Sequence, residues 1–253
     1  MPAAASLFLF LLEFGWGAPA SAAEPDASAL ARENFTQARA RSEKDPNKAA
    51  VVWQFARACF DWAEFATNNT ERARIAEQGI SAARQALADD TNSAPAHYYL
   101  GMNYGQLART RGLSALKLVD RMESEFLAAR RLDEHFDFAG PDRNLGLLYR
   151  DAPSFGSIGN RAKARRHLGR AITLAPEYPA NRLELIDALL KWGDRIGARR
   201  ELKALEEVLP AARAALAAPV WGPSWTDWDA QLQKSRASIE GSPAAIQSLR
   251  HKQ

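Results

Sequence analysis

Apolar positions recur at offsets of three and four along most of the chain. One series runs Val52, Phe55, Ala56, Cys59, Phe60, Ala63; the next runs Ile75, Gly79, Ile80, Ala83, Ala86, Leu87. Such spacing gathers side chains on one stripe of an α-helix. The apolar/polar alternation of a half-buried strand is not sustained anywhere. Helix-breaking residues fall between the periodic stretches, at Pro95, Gly112, Gly140-Pro141, Pro153, Gly156, Gly159, Pro176, Pro179, Gly193 and Pro210. That rhythm predicts short antiparallel helices and an all-α fold class. Pro46, behind Asp45 as a cap, is expected to open the first strongly periodic helix, and Asn68-Asn69-Thr70 to break it.

The helices repeat in pairs. Ala164, Leu168, Ala171 and Pro176 stand at offsets of four, seven and twelve; Ala198, Leu202, Leu205 and Pro210 reproduce them 34 residues on. The small residues let helices approach, the leucines fill the gaps, and each proline is expected to stop its helix. Leading helices precede these blocks, with Leu145-Gly146 and Tyr149 before one and Leu185-Ile186 with Leu189 before the other. Leu100-Gly101 with Tyr104, followed by Met122, Phe126 and Ala129, is a further copy, and Ala56, Phe60, Gly79, Ala83 and Ala86 form a degenerate one. A fixed period of this length marks a stack of helical hairpins.

With these residues in register, Pro46 to Pro210 resembles the tetratricopeptide repeat (TPR) family, which implies an α-solenoid of four antiparallel helix pairs. The chain departs from the family pattern in an elongated turn from Arg109 to Leu118 and in an insertion at 151–160. The usual tryptophan of the leading helix is also missing from the clearer copies. The segment from Phe136 to Pro153, with Gly156-Ser-Ile-Gly-Asn160 after it, is similar to periplasmic TPR proteins related to the T component of TRAP-type transport systems. That likeness implies an extracytoplasmic solute-binding protein as partner. Many such proteins are lipoproteins; here no Cys follows the apolar N-terminal run, so no stable membrane anchor is expected.

The ends differ from the body. Residues 1–22 read as a signal peptide, with the run Leu7 to Leu12 and small residues at Ala20 and Ala22, which predicts a periplasmic or secreted protein. Glu13 and the lack of a preceding basic residue depart from that pattern. Residues 23–45 read as a linker and N-terminal helix, 46–210 as the repeats, 211–240 as a capping segment and 241–253 as a frayed tail. Trp221, Trp225 and Trp228 share a helix face, which suits the cap that an exposed array end requires.

Composition narrows the chemistry. Of 253 residues, 47% are hydrophobic and 25% charged, with a net charge of +3, the profile of a folded globular chain with no strong electrostatic pull on nucleic acid. One Cys excludes an intramolecular disulfide and a Cys-rich zinc site. The four histidines show no metal-ligand spacing, and neither a nucleophile elbow nor a P-loop is present. Cys59 reads as a buried, inert thiol. Gly156-Ser-Ile-Gly159 could at most cradle an anion on backbone N–H groups.

The expectation is therefore a non-enzymatic scaffold without cofactor or metal, binding a protein, a peptide or a small polar solute in a concave groove. Leading helices line such a groove in the TPR arrangement. Register against the Leu-Gly-Tyr positions selects Gln54, Asp61 and Trp62, then Tyr98 and Gln106, then Arg143, Arg150 and Asp151, then Asp187 and Lys191. Arg143 and Arg150 are two turns apart and could together hold a carboxylate. Oligomerisation is compatible with this architecture. The alternative is a hydrolase built on Asp151 and Asp142 in and beside the 151–160 insertion.

Overall fold

The computed structural model describes residues 27–241, with Leu113 and Ser114 described by backbone only. Ten α-helices follow one another among these residues, and no strand is present among them. Two compact units divide the chain. The N-terminal unit holds the described residues up to Phe136, with Asp151–Gly159; the C-terminal unit holds Asp137–Arg150 and the described residues from Asn160 on.

The N-terminal unit contains α1 (Ala27–Lys44), α2 (Ala49–Ala63), α3 (Asn69–Asp89), α4 (Ala94–Ala108) and α5 (Leu116–Leu132). Each packs on its neighbour, and α2 also packs on α4. The periodic stripes become the core: Val52, Ala56, Cys59, Phe60 and Ala63 are buried on α2, and Ile75, Gly79, Ile80, Ala83 and Ala86 on α3. Asn68 does break the chain, and it caps α3: its Oδ1 accepts from the Glu71 amide at 2.9 Å, while the Glu71 carboxylate accepts from the Thr67 amide. The first bond satisfies an orphan donor of the first turn, and the second ties the residue before the cap to the helix. Pro46 does not open α2, which starts three residues later behind Lys48 without a side-chain cap. Pro46 instead lies in the α1–α2 turn, where its carbonyl accepts from Gln85 Nε2.

At Gly79 and Gly101 the absent side chain is what permits the packing. A Cβ on Gly79 would strike the Asn103 amide, and one on Gly101 the Phe126 ring. Asn103 uses the space to donate to the Ala56 and Tyr99 carbonyls at 2.8 and 2.7 Å, tying α4 to α2.

The C-terminal unit is built from most of α6 (Phe136–Asp151), then α7 (Arg161–Leu174), α8 (Pro179–Lys191), α9 (Arg195–Ala215) and α10 (Gly222–Glu240). Leu145, Ala164, Leu168, Ala171, Leu185, Leu189, Ala198, Leu202 and Leu205 are all buried, as their offsets require. Gly146 again makes room, here for Leu168. Pro176 falls after α7, but Pro210 does not stop its helix: α9 runs through it to Ala215. The exposed Pro210 forfeits one helical hydrogen bond, while Leu205, Ala212 and Leu216 hold the helix to the core on both sides of it. The helix α10 packs on α8 and α9, with Trp228 buried and Trp225 donating Nε1–H to the Leu216 carbonyl, whereas Trp221, expected on the same helix face, is buried in the short 3-10 turn Pro219–Trp221 that precedes α10.

The proposed signal peptide and the frayed tail lie outside the described residues. No helix among the described residues is long and apolar enough to cross a membrane.

Candidate functional site

The groove positions divide into buried and accessible groups. In the N-terminal unit, Tyr98 is fully buried, packed edge-on to Tyr99 and Phe136 and tilted against Phe126. Gln106 is also buried, donating to Glu64 Oε1 at 2.6 Å, while Arg109 holds the other Glu64 oxygen at 2.8 Å. Neither lines a groove; the leading-helix register places them where α4 meets its neighbours. Gln54 is exposed, with its amide on the Ala50 carbonyl, and Asp61 is half-buried beside Arg57 at 3.6 Å. Trp62, half-buried and stacked near Phe65, lines an open hollow with Ser28, Arg32 and Thr36 of α1.

In the C-terminal unit, Arg143 is the largest departure from expectation. It is 3% exposed and faces inward. Asp137, Phe138 and Ala139 all have left-handed backbones, with φ of 52°, 55° and 60°. For residues with a Cβ this conformation costs roughly 1–2 kcal/mol each, so surrounding contacts must impose it. Arg143 supplies them. One guanidinium nitrogen donates to the Asp137 and Phe138 carbonyls and to Asn181 Oδ1; the other donates to the Asp137 carbonyl and, at 2.9 Å, to its carboxylate. Asn181, from the first turn of α8, donates in turn to the carbonyls of Phe138, Ala171 and Ala175. Phe138 lies flat on Tyr178 at 4.5 Å, and the Arg143 guanidinium sits over the same ring. The role of Arg143 is to fix the backbone, so Arg143 and Arg150 do not share one carboxylate ligand.

Arg150 and the α8 positions form the accessible cluster. The Arg150 side chain is nearly enclosed, yet it donates to Glu184 at 3.0 Å and to Asp187 at 2.9 Å. Lys191 reaches the same Asp187 oxygen at 3.1 Å, and Asp187 and Lys191 are 42% and 47% exposed. Burial pushes the Glu184 carboxyl above its ordinary pKa, Arg150 opposes this, and the Asp187 charge adds to it. The result is one cation on a flexible stem and one carboxylate, presented at defined positions by a buried arginine. Asp151 is exposed at the end of α6.

Of the carboxylates in the hydrolase alternative, Asp142 is enclosed. Asp142 is wholly buried, accepting from Arg170 Nε at 3.1 Å and bonded to His167 Nδ1 at 2.7 Å, with Tyr149 stacked on the imidazole. No substrate reaches a carboxylate with no exposed surface. In the glycine loop the Gly159 amide donates to the Pro153 carbonyl, and the Asn160 amide after it to the Tyr149 carbonyl, so these two are already engaged within the chain. Cys59 is buried, and burial raises its thiol pKa far above the ordinary value. Among the described residues no group of three His, Cys, Asp or Glu is placed to hold a metal.

Known proteins with similar structures share this helical-hairpin fold. A thermophilic TPR protein of Thermus thermophilus superposes with a TM-score of 0.56 at 18% identity, over 76% of this chain and 92% of that one. PilF of Pseudomonas aeruginosa superposes at 0.52, also at 18% identity, over 88% and 92%. The chain has the TPR-like fold, an all-α stack of helical hairpins. The family model for regulator of microtubule dynamics protein 1-3 matches residues 22–119, less than half of the chain. No curated protein sequence matches it.

Proposed function

We propose that the chain is a non-enzymatic scaffold that docks a protein or peptide partner on the α6–α8 face of its C-terminal unit, working outside the cytoplasm after removal of its leader. The observation that carries this reading is the Arg150–Asp187–Lys191 arrangement. A buried guanidinium orients the exposed carboxylate, so little side-chain entropy is left to lose on binding. Alternating charges at fixed spacing suit a polypeptide with complementary charges. An extracytoplasmic solute-binding protein of a transport system is the partner that the likeness of residues 136–160 favours.

Affinity capture with wild-type protein, Asp187→Lys with Lys191→Glu, and Arg165→Ala with Arg166→Ala tests the site. The charge reversal should lose the partner and the arginine variant should retain it. Full retention by the charge reversal overturns the assignment. A captured solute-binding protein supports the transport role. The match of residues 22–119 favours a second reading, attachment to a cytoskeletal filament, and co-sedimentation of purified protein with polymerised tubulin is its test.

A further inference from the structure

The N-terminal unit has an open hollow of about 370 Å³ between α3, α4 and α5. That size is within the range of small-ligand sites. Tyr104 of α4 stands in its wall, 4% exposed. Arg84 of α3 donates to the Tyr104 hydroxyl at 2.9 Å, and its guanidinium lies 5.9 Å from the ring centroid. Arg121 of α5 approaches the same ring to 5.7 Å. Neither arginine has a carboxylate partner among the described residues. Arg109, Arg143, Arg150 and Arg170, by contrast, are all taken up by Asp or Glu. Two such guanidiniums around one hollow are an uncompensated positive site.

The rest of the wall is suited to a ligand with a short carbon body. Ile80 and Leu107 supply apolar surface. Glu77, on the rim, is engaged by Arg111 at 3.0 Å, which offsets its charge. The Tyr104 hydroxyl accepts from Arg84 and therefore keeps its own proton to donate. An anion seated here meets a fixed O–H donor and two guanidiniums, a set matched to a phosphate or carboxylate oxygen. The corresponding tyrosine of the C-terminal unit is surrounded differently: Tyr149 is stacked on His167, with Lys163 over its ring at 4.7 Å.

We propose that the hollow bounded by Arg84, Tyr104 and Arg121 binds a small organic anion, a phosphate or carboxylate head on a short apolar body, independently of the partner face. The test is calorimetric titration of the full chain at low ionic strength with hexyl phosphate, hexanoate, inorganic phosphate and 1-hexanol. One of the two amphiphilic anions should bind about tenfold or more tighter than inorganic phosphate, because burying two methylenes is worth about that factor, and 1-hexanol should bind weakest. The tighter of the two names the head group. Arg84→Ala with Arg121→Ala should lose at least about tenfold and Tyr104→Phe about threefold or more, with unchanged helical spectra. Arg165→Ala with Arg166→Ala should bind like wild type, as should the Asp187→Lys, Lys191→Glu protein, whatever becomes of its partner. Equal binding of the anions to wild type and the double-arginine variant, equal binding of 1-hexanol, or no binding by any probe overturns the proposal.

Discussion

The two units fill the same register position of a leading helix in opposite ways. Two residues before the Leu-Gly pair, α4 carries Tyr98 and α6 carries Arg143. Tyr98 joins a cluster of aromatic rings in which the shapes interlock and the backbone stays helical. Arg143 is enclosed just as fully, but its donors are spent on a backbone turned to the wrong hand. The repeat period therefore specifies that a side chain points inward, and only the identity of that side chain decides what the interior there is used for. The aromatic version gains from area and tolerates reshaping. The charged version holds only while every partner is present, since a buried ion missing one partner loses several kcal/mol.

The comparison breaks most readily at Arg143. Arg143→Ala should cost about 3–5 kcal/mol in urea denaturation, because it leaves the Asp137 carboxylate buried and frees the left-handed turn. A loss under about 1 kcal/mol would falsify the clamp. The glycines sharpen it next. Gly146→Ala should cost about 1–3 kcal/mol, since its Cβ would lie 3.1 Å from the Leu168 backbone nitrogen as well as against the Leu168 side chain. At Gly101 the nearest obstruction is the Phe126 ring, a side chain, so Gly101→Ala should cost less. The reverse order in thermal melting would mean that the α4–α5 contact is the stiffer one.

A smaller effect has the opposite sign. Ala139→Gly should be neutral or stabilise by up to about 1 kcal/mol by relieving the left-handed strain, whereas Ala162→Gly on the exposed side of α7 should destabilise by about 0.5–1 kcal/mol. Equal destabilisation would show that Ala139 is held without strain. The smallest effect belongs to the N-terminal unit. His97 bonds Glu125 at 2.6 Å, and that bond raises its pKa. A raised folded-state pKa stabilises fully below the unfolded value near 6.5 and is lost as pH rises through the folded value. Stability should therefore fall slightly with rising pH above about 6.5, and Glu125→Gln should flatten the profile. An unchanged profile removes the pair from the pH response.

The fold was legible because its determinants are periodic. Ala164, Leu168, Ala171 and their counterparts 34 residues on are buried where their offsets put them, and Leu100-Gly101 and Leu145-Gly146 sit at helix crossings. The site was less legible because register tells which way a residue points and not how deep it lies. Tyr98, Gln106 and Arg143 satisfy the groove offsets but are covered by neighbours that no local pattern identifies. The left-handed turn carries no glycine at the three positions that need one, and its enforcing partner Asn181 is 38 residues from Arg143. Only the pairing of a glycine-proline step with a nearby Asp and Arg hinted at it. Arg84 and Arg121 leave no mark in the sequence for a related reason: they lie on separate helices and converge only around Tyr104.

The left-handed turn also limits how this array can change by duplication. Where hairpins meet only their neighbours, gaining or losing one adds or removes a single interface, and the remainder is indifferent. At Asp137–Ala139 the chain's handedness is held from α8, a helix two places further on. A hairpin inserted between α6 and α8 would carry Asn181 away from Arg143, and the backbone would revert to the ordinary hand. The segment from α6 to α8 must therefore be inherited as one block.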